Sequence, residues 1–278
     1  MSVPAPAGLA VDDEGTGTPV LLVHGQPGTA ASWAPVAARL AARYRVLVPD
    51  RPGYGRTSLP AGGLEHNAAV LAAELERRRA VPAVVVGHSY GGGIALILAA
   101  RAPEVVAALV LVGSVGAPGS VNALDRLLAL PGAGEVASAA GLLAVPALAG
   151  LRRLLGASDA TGRLASRLAA ALPDDDLVAT GGDLVRTARA FGVEQRALLA
   201  EAGLLERAVG DVAVPTTVVT GAWDAVVPPS ASADLAAGIA GARLVSLAGV
   251  GHFVARDVPD TLAEIVDEVA SRLGGPDG

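Results

Sequence analysis

Six short runs rich in valine and leucine recur along the chain. They are Val20–His24 (VLLVH), Arg45–Pro49 (RVLVP), Ala83–Gly87 (AVVVG), Ala108–Gly113 (ALVLVG), Thr216–Thr220 (TTVVT) and Arg243–Leu247 (RLVSL). Most are apolar on both faces rather than at alternate positions, as strands are when helices cover both sides of their sheet. Longer alanine- and leucine-rich segments lie between them: Ser32–Ala42, Glu65–Arg79, Tyr90–Arg101, Ser230–Ile239 and Thr261–Leu273 read as helices. This alternation predicts an α/β protein with a mostly parallel sheet, and right-handed crossovers place its helices on both faces. With 278 residues, of which 52% are hydrophobic and 17% charged, the chain is long enough for a large core and too apolar for disorder. Aromatic residues are only 3%, so alanine, valine and leucine carry the packing.

The alternation stops between Pro118 and Gly210. That stretch has no good strand, but it has amphipathic pieces at Asn122–Leu130, Arg163–Ala171 and Asp183–Phe191, separated by proline and glycine. It reads as a helical insertion, a cap over the C-terminal edge of the sheet. The expected organisation is a core of residues 1–117 and 211–278, with a cap of residues 118–210.

Several classes of function are disfavoured. A net charge of −6 argues against nucleic acid, and the one basic cluster, Arg77-Arg78-Arg79, sits at a helix end where cations suit the dipole. There is no cysteine, hence no disulfide, thiolate metal site or cysteine nucleophile. The stretch MSVPAPAGLAVDDEG lacks the basic and apolar regions of a signal peptide. Val136–Leu151 is broken by Ser138, Gly141, Pro146 and Gly150 and falls short of the ~20 residues of a membrane span. The expectation is a cytoplasmic protein with no membrane span, acting on a small molecule. Nothing in the sequence sets its oligomeric state.

Open α/β sheets bind ligands beyond the carboxyl ends of their strands. One of those ends reads Gly87-His88-Ser89-Tyr90-Gly91, a G-x-S-x-G pattern between a strand and a helix. There a serine sits on a tight, strained turn with its hydroxyl above the sheet, and Gly87 and Gly91 permit the close approach. A serine nucleophile needs a base. His88 adjoins Ser89 and is expected to point away from it, His66 to be solvated or capping, and His24 to be structural. His252 follows the last strand in a glycine-rich loop, from which it can reach Ser89. Asp224 follows the preceding strand in GAWDAVVPP and is the expected carboxylate, whereas Asp50 opens a DRPGYG turn that an aspartate more often fixes. An oxyanion would be held by backbone N–H groups, one from Tyr90 after the serine and one from Gln26 in HGQPG, where Gly25 opens the loop. The scattered histidines have no metal-ligand spacing.

The segments VLLVHGQPG, YRVLVPDRPGYGRTS, VVVGHSYGGG, VVTGAWDAVVP and AGVGHFVARDVPD resemble the α/β-hydrolase superfamily, in the family's order. The resemblance covers Pro19–Ser114 and Val214–Leu273, and the insertion falls where the family carries a variable cap. It implies an eight-stranded, mostly parallel sheet, no cofactor, Ser89 as nucleophile, His252 as base, Asp224 as acid, and Gln26 and Tyr90 as oxyanion donors. Epoxide hydrolases and haloalkane dehalogenases are similar around the HGxP loop but use an aspartate where this chain has Ser89. Prolyl iminopeptidases usually have tryptophan at the position of Tyr90. The DRPGYGRTS loop and GHSYGG turn look most like esterases, carbon–carbon bond hydrolases and cofactor-free perhydrolases.

The reaction expected is therefore hydrolysis of a small, largely apolar ester through an acyl-enzyme. Carbon–carbon hydrolysis or perhydrolysis on the same triad stays open, as does a ligand-binding receptor that keeps the fold. The insertion is rich in Ala, Leu and Val, with Phe191 its only aromatic, which suggests an apolar pocket.

Overall fold

The computed structural model describes residues 8–141 and 184–273. The strands are β1 (Val11–Glu14), β2 (Pro19–Val23), β3 (Arg45–Pro49), β4 (Ala83–His88), β5 (Val106–Val112), β6 (Thr216–Gly221) and β7 (Arg243–Leu247). They form one sheet in the order β1-β3-β2-β4-β5-β6-β7. All neighbouring pairs are parallel except β1 with β3. The sheet has seven strands among the described residues, one fewer than the expected eight. The described chain holds one strand, β1, ahead of β2, and residues 1–7 lie outside it.

The both-sided hydrophobicity of the strands is used as the sequence suggested. Successive residues of a strand face opposite sides of the sheet. Leu21, Val23, Leu47, Val85, Leu109, Leu111 and Val218 enter one core. Val20, Leu22, Val46, Val48, Val84, Val86, Val110 and Val219 enter the other. The first core is closed by α2 (Leu64–Arg77), α3 (Tyr90–Arg101), α6 (Ala202–Asp211) and α7 (Pro229–Gly238). The second is closed by α1 (Ala34–Leu40), α8 (Val254–Asp257) and α9 (Pro259–Arg272). Fully burying one such aliphatic side chain contributes roughly 1.5–3 kcal/mol, so the two layers are the main source of stability.

Between β5 and β6 the described chain contains α4 (Ala123–Leu128), α5 (Leu184–Ala200) and α6, with no strand. The helical piece expected at Arg163–Ala171 lies outside the described residues. No helix among the described residues is long and apolar enough to cross a membrane.

The strand order fixes where a site can form. From β2 the chain steps to β3 on one side, then returns to place β4 on the other side of β2. This reversal opens a crevice beyond the carboxyl ends of β2 and β4. Val23 pairs with Gly87, so His24-Gly25-Gln26 and Ser89 emerge side by side.

Candidate active site

β4 ends at His88 and α3 begins at Tyr90, so Ser89 alone makes the turn. Its φ of 54° and ψ of −119° lie where side-chain-bearing residues rarely sit, a strain of about 1–3 kcal/mol. The neighbouring glycines make the turn possible. A Cβ on Gly87 would lie 2.4 Å from the Gly91 carbonyl oxygen, and one on Gly91 would lie 2.4 Å from the carbonyl oxygens of both Val23 and His24. The Ser89 N–H donates to the Val112 carbonyl at 2.9 Å, and the Ser89 carbonyl accepts from Gly92 N–H at 3.0 Å. The turn is thereby tied to β5 and to its own helix.

Asp224 and His252 follow the ends of β6 and β7 and meet there. His252 Nδ1 and Asp224 Oδ2 are 2.8 Å apart, and both side chains are buried. The other carboxylate oxygen, Oδ1, accepts from the N–H groups of Val226 and Val227, each at 2.9 Å. The carboxylate is thus fixed by its own loop. With Nδ1–H donating a hydrogen bond to Asp224, the lone pair of His252 lies on Nε2. Gly113, at the end of β5 with φ of 48°, leaves room for the pair: a Cβ there would lie 3.1 Å from Asp224 Oδ2 and 3.2 Å from His252 Nδ1. Ser89 and His252 line one cavity, and no hydrogen bond joins them in this structure.

The loop after β2 forms the opposite wall. His24 is fully buried, with Nδ1 2.8 Å from the Gly25 carbonyl oxygen and Nε2 accepting from Arg51 N–H at 3.0 Å. Those partners assign the proton to Nδ1. Burial, reinforced by the Arg51 charge, holds the His24 pKa well below the usual histidine value. Gln26 N–H and Tyr90 N–H, the two expected oxyanion donors, have no acceptor among the described residues. Tyr90 N–H is also the first donor of the twelve-residue helix α3, whose dipole favours negative charge at that end.

The cavity holds about 300 Å³. Its apolar wall includes Val115, Leu124, Leu128, Phe191, Leu198, Val227 and Phe253. A polar chain runs along one side: Gln26 Nε2 donates to Gln195 Oε1 at 2.9 Å, and Gln195 Nε2 lies 3.4 Å from Asp125 Oδ1. No arginine or lysine is among its described lining residues. Among the described residues no cluster of His, Cys, Asp or Glu could hold a metal ion.

The structure brings Ser89, His252, Gly25, Gln26 and Tyr90 to this cavity, with Asp224 behind His252. Asp50 fixes its own turn through Oδ2, which accepts from Arg56 N–H at 3.0 Å, and ties that turn to the segment after β2 through Oδ1, which accepts from Ala30 N–H at 2.7 Å. His66 is exposed within α2 and is not among the cavity's described lining residues. His88 packs beside His252. Its ring packs 4.6 Å from that of His252, and its Nε2 lies 2.9 Å from the His252 carbonyl oxygen. Burial and the neighbouring His252 push its pKa down to about 3, so it is a neutral support for the His252 loop. Sequence reasoning also missed Arg51, Glu194 and Gln195. The one available signal was the DRPGYG turn, which drew attention to Asp50 but not to the arginine beside it.

A family model described as the alpha/beta hydrolase fold matches residues 18–257. A 2-hydroxymuconate semialdehyde hydrolase of Pseudomonas putida is 31% identical over 270 residues, covering 92% of this chain and 88% of that protein. A solved meta-cleavage product hydrolase, CumD, is 26% identical with a TM-score of 0.69 and 98% of each chain covered. A thermophilic esterase from Thermogutta terrifontis superposes with the same TM-score of 0.69 at 24% identity, covering 95% of this chain and 93% of that one; this is a likeness of fold.

Proposed function

The chain belongs to the α/β-hydrolase family, and from that premise we propose that it is a serine hydrolase cleaving small, uncharged carboxylic esters through an acyl-enzyme. The observation that carries the ester reading is the cavity itself. Its described lining sets an apolar wall of valine, leucine and phenylalanine against a polar side of Ser, Thr, Asn and Gln; it contains no arginine or lysine, and the one carboxylate in it, Asp125, disfavours an anionic ligand. An uncharged acyl group of modest size fits a volume of about 300 Å³.

In this reading His252 Nε2 takes the hydroxyl proton of Ser89 as Oγ attacks the ester carbonyl. Asp224 stabilises the imidazolium through Nδ1 without taking its proton. The oxyanion accepts from the N–H groups of Gln26 and Tyr90, both without an acceptor among the described residues. His252 then protonates the departing alkoxide. Water, deprotonated by the same imidazole, hydrolyses the acyl-enzyme and releases the acid and free Ser89. Catalytic hydrogen bonds are often long or misaligned without substrate, so an unformed Ser89–His252 bond is compatible with this role.

Carbon–carbon hydrolysis is the second reading, favoured by the Pseudomonas putida relative. A muconate semialdehyde retains a carboxylate, for which the described lining offers no cationic partner. One experiment separates the two. The purified protein is given short- and medium-chain p-nitrophenyl esters and, separately, a dienoate carbon–carbon substrate, beside Ser89→Ala. Ester turnover at least a hundredfold above dienoate turnover, lost in Ser89→Ala, is the expected result. The reverse preference assigns the carbon–carbon reaction, and equal turnover by Ser89→Ala refutes serine chemistry altogether.

A further inference from the structure

Arg51 and Glu194 take no part in the chemistry above, yet both side chains are completely buried and paired. Arg51 comes from the turn after β3, and Glu194 from α5 of the insertion, 143 residues away. The guanidinium engages both carboxylate oxygens, the longer contact being 3.3 Å, and Tyr54 Oη donates to the same carboxylate at 2.8 Å. The guanidinium also lies between two aromatic rings, its carbon 5.0 Å from the Tyr54 centroid and 5.2 Å from that of Tyr90. Burying two charges costs several kcal/mol per ion even after relaxation, so the pair alone is weak support for stability.

The remaining donors of Arg51 point elsewhere. Nε donates to the His24 carbonyl at 2.9 Å, and Nη2 donates to the Gly25 carbonyl at 2.9 Å. Gly25 O also accepts from His24 Nδ1 at 2.8 Å, and His24 is itself held through Nε2 by the Arg51 N–H. The Gly25 carbonyl and the Gln26 N–H belong to one peptide unit. That unit is trans, since the cis bonds of the described chain are Gln26-Pro27 and Val81-Pro82. In a trans peptide the C=O and N–H point in opposite directions within one plane. Fixing Gly25 O with two donors therefore fixes the direction of Gln26 N–H. Donation to a carbonyl also polarises its amide and strengthens the N–H as a donor.

We propose that Arg51 is a positioning residue for the oxyanion hole, setting the Gly25–Gln26 peptide, and that Glu194 anchors it from α5. The inference rests on the reading of Gln26 N–H as an oxyanion donor to acyl transfer at Ser89. It makes the insertion more than a cover. Helix α5 carries Glu194 to Arg51 and Gln195 to the Gln26 side chain, so the same helix braces the oxyanion loop on two sides.

The test uses the full chain and two variants. Glu194→Leu combined with Arg51→Met removes both charges together and so leaves no orphaned ion in the interior. Arg51→Lys keeps a charge against Glu194, but a compact ammonium cannot span the carboxylate and both carbonyls. Each is compared with wild type in kcat, in KM for a p-nitrophenyl ester, and in affinity for a trifluoromethyl ketone, whose adduct with Ser89 carries an oxyanion. Complete loss of one oxyanion donor costs about 10²–10³ in kcat, so a misdirected donor is expected to cost about 10–100-fold. Ketone affinity should fall in step with kcat while KM holds within about threefold, because the peptide acts on the tetrahedral species. A lower melting temperature with kcat and ketone affinity unchanged would make the pair a structural tie only, and overturn the inference. Should the double variant not fold, Arg51→Lys carries the same comparison and the same refutation. Absence of Ser89-dependent ester turnover in wild type would instead overturn the acyl-transfer reading, and this inference with it.

Discussion

Replacing Asp224 by asparagine tests the assignment of the acid, and the hydrogen bonds around it say what the amide must do. Oδ1 accepts from two backbone N–H groups, Val226 and Val227, and Oδ2 meets His252 Nδ1. An asparagine that turned its NH₂ toward the loop would set it against both donors and leave them unsatisfied, at about 1–3 kcal/mol each. The amide oxygen is therefore held on the loop side and the NH₂ faces His252. Nδ1 must then accept, which moves the imidazole proton to Nε2 and removes the lone pair that would take the Ser89 proton. The variant also has no charge to balance the imidazolium. In serine proteases the same change in a Ser-His-Asp triad costs about 10⁴ in kcat, equivalent to about 5.4 kcal/mol of barrier. Asp50→Asn is the control. Its carboxylate serves the N–H and Nε of Arg56 in its own turn and the Ala30 N–H of the segment after β2, and it touches neither Ser89 nor His252. It should lose about 1–3 kcal/mol of stability by urea unfolding while keeping kcat per folded molecule within about threefold. Initial rates on one ester, at matched folded concentration, decide the matter. An Asp224→Asn enzyme within tenfold of wild type, beside a disabled Asp50→Asn, would refute the assignment.

Three further outcomes follow from the same geometry. Activity should survive exhaustive dialysis against a chelator; a loss reversed by one particular divalent ion would contradict the metal-free mechanism. Gly91→Ala forces a Cβ to 2.4 Å from two backbone carbonyl oxygens and should cut the folded yield severely, whereas Gly210→Ala, with nothing within 4 Å, should match wild type in thermal melting; equal melting of the two would show that the turn is not so tightly packed. His88, held near a pKa of about 3, should remain neutral by imidazole NMR at pH 5, where an imidazolium signal would refute its burial beside His252. The sign of its effect on stability is set by the unfolded chain, which binds a proton below about 6.5 while the native His88 does not. Its contribution is thus fully present above about 6.5 and declines as pH falls toward about 3, an effect visible as a falling urea midpoint.

What the sequence made legible follows from which constraints are local. Five of the parallel strands are buried on at least one face along their length, and a valine run such as Ala83–Gly87 announces that by itself. β1 does not, because VDDE at the sheet edge is polar, and its Asp13 is matched by Arg45 and Arg78 from elsewhere in the chain. Ser89 was legible because the turn around it needs glycines within two positions on either side, and Asp224 and His252 because a parallel sheet delivers successive strand ends to one edge. The oxyanion loop was legible as a backbone but not in its support. Glu194, in FGVEQRALL, looks like any solvated residue of an amphipathic helix, and Arg51 looks like part of a turn. Only when α5 packs over that turn do both charges leave water together, and only then do the spare donors of Arg51 have carbonyls to hold. The hydrogen bonds that aim Gln26 N–H therefore depend on a partner 143 residues away, which no local pattern encodes. It follows that residues near α5 can alter turnover without touching substrate, and a scan of strand ends alone would miss them.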